Sequence, residues 1–220
     1  TLLFGAGFVG PLLSSLLLGG IRAEGDVRLA QFAGMFFHGN PLLAAGSLIR
    51  YYLAKDEPAV ITVTEHLGKA RSPLAVDELL EALTDPRFFV RFEAIVSIAR
   101  WGPDDRLLAA LVDVMEGPDP ALSVIAAWAL GRMRDPKAIE PLRRNLNSQY
   151  HSVQVHAVRS LGSLGDASLA PEFINRLEWE SDPGLQLAYA SALGKFKAVE
   201  AMPHLLEMLC LLYTSDAADE

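Results

Sequence analysis

Between residues 56 and 210 the apolar positions carry two periods at once. In the stretch 119–131, Asp-Pro-Ala-Leu-Ser-Val-Ile-Ala-Ala-Trp-Ala-Leu-Gly, the residues Leu122, Ala126, Ala127, Leu130 and Gly131 fall on one arc of a helix. The same spacing selects Val90, Ala94, Ile95, Ile98 and Ala99, then Val153, Ala157, Val158, Leu161 and Gly162, then Leu185, Tyr189, Ala190, Leu193 and Gly194. A weaker copy ends at Leu67-Gly68. The repeat-end residues Leu67, Ile98, Leu130, Leu161 and Leu193 are 31, 32, 31 and 32 positions apart. A period of that size, held over five units, predicts an array in which each unit buries its apolar face against its neighbours. The expected fold is all-α, an α-solenoid of about five helix pairs over residues 56–210.

Punctuation agrees with the period. Asp56-Glu57-Pro58, Ser72-Pro73, Asp85-Pro86, Asp119-Pro120, Asp135-Pro136 and Asp182-Pro183 are helix starts, a capping side chain beside Pro in the first turn. Gly102, Gly117 and Gly165 fall in turns, and Pro141, Pro171 and Pro203 fall early in the second helix of successive units, where a missing donor costs little. Arg91, Ser123, Gln154 and Gln186 share a place near the helix start within the core arc, which predicts bonds to the preceding turn. Strand signals are missing after Asp56.

The first 55 residues follow another pattern. Residues 1–21 carry no charge and are long enough to cross about 30 Å of hydrocarbon, so a transmembrane helix is expected. Ala6, Gly10 and Ser14 would give it a close-packing stripe. A signal peptide and a buried core helix are the rivals. After the polar link Arg22, Glu24, Asp26 and Arg28, a second uncharged stretch from Leu29 to Ile49 is broken at His38-Gly39-Asn40-Pro41, which predicts two short helices meeting at a kink. Arg50, Tyr51, Tyr52 and Lys55 would anchor it at a membrane surface. The expected division is hydrophobic helices at 1–55, the array at 56–210 and a non-native-looking tail at 211–220, whose final residues resemble a translated sequencing-adapter read-through. Beginning at Thr1 inside an apolar run, the chain reads as a fragment.

Charge and chemistry narrow the function. A net charge of −8 argues against a nucleic-acid partner. The basic spots at Arg132, Arg134, Lys137, Arg143 and Arg144 are interrupted by Asp135 and Glu140 and read as solvated helix ends. The single Cys210 excludes an internal disulfide and a cysteine-built zinc site, and suits a reducing compartment. No Gly-rich phosphate loop, nucleophile elbow or paired His motif occurs. His151 and His156 are five apart and diverge on a helix, while His38, His66 and His204 are isolated. No catalytic residue, metal ligand or cofactor is expected.

The unit Asp-Pro-x-Leu-x-x-x-Ala-Ala-x-Ala-Leu-Gly at 119–131, with Asp135-Pro136-x-Ala138-Ile139-x-Pro141-Leu142 after it, resembles the HEAT-like repeats, including those of phycobilin lyases. The resemblance covers residues 57–210 and implies a fold rather than an activity. A HEAT-repeat hydroxylase would need His-Glu dyads for iron; Glu65-His66 is in the reverse order. Gly7-Phe8-Val9-Gly10-Pro11-Leu12-Leu13 is similar to a segment in a late transmembrane helix of major facilitator transporters, some of which carry HEAT-like repeats after the last span. That resemblance implies a membrane location with the array on the cytoplasmic face.

The arc opposite the core is what an array shows to a partner. It holds Phe89, Glu93, Val96 and Arg100, then Ala121, Ile125, Trp128 and Arg132, then Ser152, His156, Arg159 and Ser163, then Gly184, Ala188, Ser191 and Lys195. Trp beside Arg is the composition enriched at binding hot spots. Glu93, Arg100, Ile125, Trp128, Arg132, His156 and Arg159 are therefore the candidate partner-binding residues, the competing reading being that Trp128 packs on a neighbouring helix. The function expected is a non-catalytic interaction or regulatory module, tethered through residues 1–50, whose partner is another protein or its own transporter body. The alternatives are a soluble HEAT-like bilin lyase or lyase chaperone and, disfavoured by charge, a DNA-binding HEAT-like glycosylase.

Overall fold

A computed structural model describes residues 41–53 and 56–208. Its α-helices are α1 (Pro41–Leu53), α2 (Glu57–Ala70), α3 (Val76–Ala82), α4 (Phe88–Ile98), α5 (Asp105–Met115), α6 (Pro120–Met133), α7 (Ile139–Arg144), α8 (His151–Leu164), α9 (Ala170–Trp179) and α10 (Pro183–Phe196). Residues 202–208 are helical as well. Among the described residues there is no strand, and no helix is long and apolar enough to cross a membrane. Residues 1–21 and the tail at 211–220 lie outside the described residues.

The helices form two layers. The even-numbered helices α2, α4, α6, α8 and α10 stack side by side, each on the next. The odd-numbered helices α3, α5, α7 and α9 lie on the other side, and each packs most heavily on the long helix that follows it. The structural hairpin is thus short-then-long, whereas the periodicity alone suggested long-then-short. α1 pairs with α2 in the same way: Ala44 and Ser47 are buried, Leu48 and Tyr51 pack against the core, and Ile49 and Leu53 stay exposed.

Some of the start signals act through side-chain bonds, while Asp56 and Ser72 stand before their helices without a side-chain capping bond. Asp119 accepts from the backbone N–H of Ala121 and Leu122 at 3.1 and 3.4 Å, and Asp182 accepts from Leu185 at 2.8 Å. Asp104, which stands before no Pro, caps α5 through Arg106 and Leu107, both at 3.0 Å. Asp85 does not cap a helix. Its carboxylate is taken by the Arg87 guanidinium at 2.9 and 2.7 Å and by the Arg87 N–H, and α4 begins only at Phe88. Ser123 donates back to Asp119 O at 2.9 Å, Gln154 to Ser148 O at 2.6 Å and Gln186 to Glu180 O at 2.7 Å, each tying a long helix to the turn before it. Arg91 instead approaches Asp119 of the next unit at 3.8 Å.

One continuous core runs from Val60 to Ala201. The arc residues of α4, α6 and α8 are all buried, as the period requires. The last unit departs from it: Gly194 is exposed, and Ala188, expected on the outer arc, is fully buried. A single arc overlooks the second face that a stacked helix must bury, the one turned to the preceding long helix. On that face lie Ser97, Ala129, Ser160 and Ala192, all buried.

Small residues set the spacing there. A Cβ on Gly68 would lie 2.4 Å from Ser97 Cβ, one on Gly131 2.5 Å from Ser160 Cβ, and one on Gly162 2.8 Å from Ala192 Cα. Glycine therefore permits backbone contact between successive long helices. Ser160 Oγ donates to Ala127 O at 2.8 Å, and Ser97 Oγ lies 3.2 Å from Thr64 O, both between neighbouring units. The short helices are linked mainly by long side chains: Arg106 to Asp77, Lys137 to Asp105, Arg144 to Glu116 and Arg143 to Glu172.

Candidate partner-binding groove

On the long-helix side, across the C-terminal end of α4, the C-terminal half of α6 and the middle of α8, lies an open groove of about 580 Å³. Arg100 from the end of α4, Trp128 and Arg132 from α6, and His156, Arg159 and Ser163 from α8 line it. They converge because each follows the core arc at a fixed offset, so the 31- and 32-residue repeat stacks them on adjacent helices. Arg71, Trp101 and Arg134 complete the walls from the turns beyond the helix ends.

Five arginines and no carboxylate line this groove in a protein whose net charge is −8. Arg87, Arg91, Arg106, Arg143, Arg144 and Arg176 each hold a carboxylate within 4.0 Å. Among the described residues, none of the five groove arginines does. Arg100 is half-buried and its Nη1 is buried without a hydrogen-bond partner. Arg132 lies over the Trp128 ring at 5.7 Å, a cation–π contact that leaves its N–H groups without a carboxylate.

Arg71 and Arg134 follow α2 and α6 in the left-handed region, with φ of 47° and 56°. Gly165 takes the matching place after α8 at φ 79° without strain. A β-carbon there costs on the order of 1 kcal/mol per residue. The basic side chain at the end of a helix recovers part of that against the helix dipole.

Burial holds the His156 imidazole below its ordinary value, and the nearby Arg159 charge adds to this. Glu93 lies outside the lining: it is half-buried, 3.2 Å from Ser97 Oγ, and burial pushes its carboxyl up. Ile125 is half-buried and packs against the core. Of the seven residues picked from the sequence, Arg100, Trp128, Arg132, His156 and Arg159 thus meet in the groove, and Glu93 and Ile125 do not. Trp128 is 36% exposed, so its ring is open to a ligand as well as to Arg132. Arg71, Trp101 and Arg134 escaped the helical arc because they follow the helix ends. Their signal was the basic residue four positions after a repeat-end leucine, at Arg71, Arg134 and Lys197.

Residues 76–153 and 146–210 match the family of HEAT repeats, over more than half of the chain. The chain is a HEAT-repeat protein. Its array is similar to the solved complex of CpcE and CpcF of the phycocyanin lyase from Nostoc sp. PCC7120. The TM-score is 0.57 and the identity 21%, covering 85% of this chain and 72% of that one. At that identity the likeness is one of fold. An engineered protein solved by a structural genomics consortium gives a TM-score of 0.46 at 20% identity, over 70% of this chain and 79% of that one. No curated protein sequence matches the chain.

Proposed function

We propose that this HEAT-repeat protein is a non-catalytic interaction module whose recognition face is the groove across α4, α6 and α8. The observation that carries the reading is the groove's wall: two tryptophans and five arginines that no carboxylate of the described residues neutralises. Unpaired arginine beside aromatic rings, on the long-helix face of a repeat array, is the composition that anchors protein partners. The short-helix layer, by contrast, already pairs its arginines with carboxylates of neighbouring units. The test is photo-crosslinking of the full chain in the membrane fraction of its host, with a photoreactive amino acid at position 128 or at position 175 on the opposite layer. A discrete adduct from 128 and none from 175 supports the reading; no adduct from 128, or the same adducts from both, removes it.

The module is held at a membrane by residues 1–21, as the C-terminal region of a transporter. Support comes from their uncharged length, the similarity of Gly7–Leu13 to a transporter segment, and the exposed apolar residues Ile49 and Leu53 on α1. Resistance of the full chain to alkaline extraction from membranes, lost on deleting residues 1–21, is the expected result. Extraction of the full chain would count against the tether.

A second reading, a bilin-binding lyase or lyase chaperone, draws on the fold shared with the phycocyanin lyase complex and on the groove's volume of about 580 Å³, within the range of small-ligand sites. Titration with a linear tetrapyrrole decides it. A red-edge spectral shift with quenching of Trp128 would support it, and an unchanged spectrum would exclude it.

A further inference from the structure

The interaction reading leaves open what chemistry the partner must bring, and the groove answers part of that. Five of the 19 Lys and Arg residues face one groove in a chain with 27 Asp and Glu. Outside the groove, six of the seven described arginines hold a carboxylate of the chain, Arg50 on α1 being the exception, so unpaired arginines are concentrated here. Glu65 and Glu93 stand near enough to feel the Arg100 charge, yet neither bridges it. The buried Nη1 of Arg100 lacks an acceptor, so this guanidinium is not satisfied from within the chain. Arg132, over Trp128 at 5.7 Å and exposed, carries a guanidinium fork suited to a carboxylate.

We propose that the groove takes an acidic peptide segment of a partner protein, its carboxylates held by Arg100, Arg132, Arg134 and Arg159 and an apolar side chain seated against Trp101 and Trp128. This rests on the groove being the recognition face. A peptide fits better than a nucleic acid: the cations are confined to about 580 Å³ rather than laid along a track, and the chain is acidic overall. Guanidinium groups spread over three successive repeats match carboxylates spaced along a chain rather than a single point charge.

The experiment is fluorescence anisotropy of the full chain with labelled octaglutamate, octalysine and an eight-residue oligothymidylate. Octaglutamate is expected to bind, octalysine not to bind, and the octaglutamate Kd to rise at least tenfold between 50 and 300 mM salt. Arg132→Gln with Arg159→Gln, both exposed positions, should weaken it at least tenfold, while Arg143→Gln with Arg144→Gln on the short-helix layer should leave it unchanged. Thermal melts check that each variant folds; if the first pair unfolds, Arg159→Lys with Trp128→Phe takes its place, with a threefold or greater loss expected. Absent octaglutamate binding, equal loss in both pairs, or tighter binding of the oligothymidylate would overturn the proposal. A discrete crosslink from position 128 together with absent octaglutamate binding would leave the recognition face standing and remove its acidic partner.

Discussion

Replacing Gly131 with alanine tests the close packing of successive long helices. The new Cβ would sit 2.5 Å from Ser160 Cβ, 2.6 Å from its Oγ and 2.8 Å from its Cα. Carbon atoms rest at about 3.5–4.0 Å, so α6 and α8 must part by roughly 1 Å. Rotating Ser160 relieves the Oγ contact but neither of the other two. With two contacts that no rotamer relieves, overpacking here costs about 2–3 kcal/mol, and the helix gains about 0.5–1 kcal/mol on losing glycine, leaving a net loss of roughly 1–2.5 kcal/mol. Gly194 holds the same register in α10 and has nothing within 4 Å of its Cβ position, so Gly194→Ala should stabilise by about 0.5–1 kcal/mol. Urea unfolding followed by circular dichroism, read as a change in midpoint at constant slope, gives both numbers. The two changes should move the midpoint in opposite directions. If Gly131→Ala were neutral or stabilising, glycine contact would not set the spacing of the long helices.

Ser160→Ala removes a buried hydroxyl that donates to Ala127 O at 2.8 Å, and urea unfolding should show a loss of about 0.5–1.5 kcal/mol. Asp104→Ala leaves the Arg106 and Leu107 N–H groups uncapped and should lower stability by about 1 kcal/mol in the same assay. Arg134→Gly relieves a left-handed residue at φ 56°, so it should raise the melting temperature while weakening octaglutamate binding, a trade between stability and recognition. His156, held below its ordinary value by burial, takes up its proton more readily unfolded than folded. Stability should therefore be full above the ordinary imidazole value and fall as pH drops through the lower folded one; His156→Gln should flatten that slope in urea titrations across pH.

The array was legible because its signal is redundant. Leu122, Ala126, Ala127, Leu130 and Gly131 repeat at a fixed period, and each copy in α4 and α8 is buried as the arc requires. The pairing of short with following long helix was not legible, since periodicity alone does not say which neighbour a helix covers. Nor was the burial of Ala188, because the second face of a stacked helix has no arc of its own in a run so rich in alanine. Half the groove could be read as an outward arc: Arg100, Trp128, Arg132, His156 and Arg159 follow helical spacing. Arg71 and Arg134 could not, since a left-handed residue beyond a helix end points where the helical wheel does not reach. Arg132 and Arg134 also looked like solvated helix ends, because Asp135 follows them. In the fold Asp135 is buried and accepts from the Lys137 N–H at 2.9 Å, so it does not neutralise them.

Hydrogen exchange on the full chain with and without octaglutamate reports where an acidic ligand sits without presuming the residues. Slowed exchange is expected at the C-terminal end of α4, in the C-terminal half of α6, in the middle of α8 and in the turns at Arg71 and Arg134, with α5, α7 and α9 unchanged. Protection confined to the short-helix layer, or none at ligand concentrations that saturate the anisotropy signal, would contradict that placement.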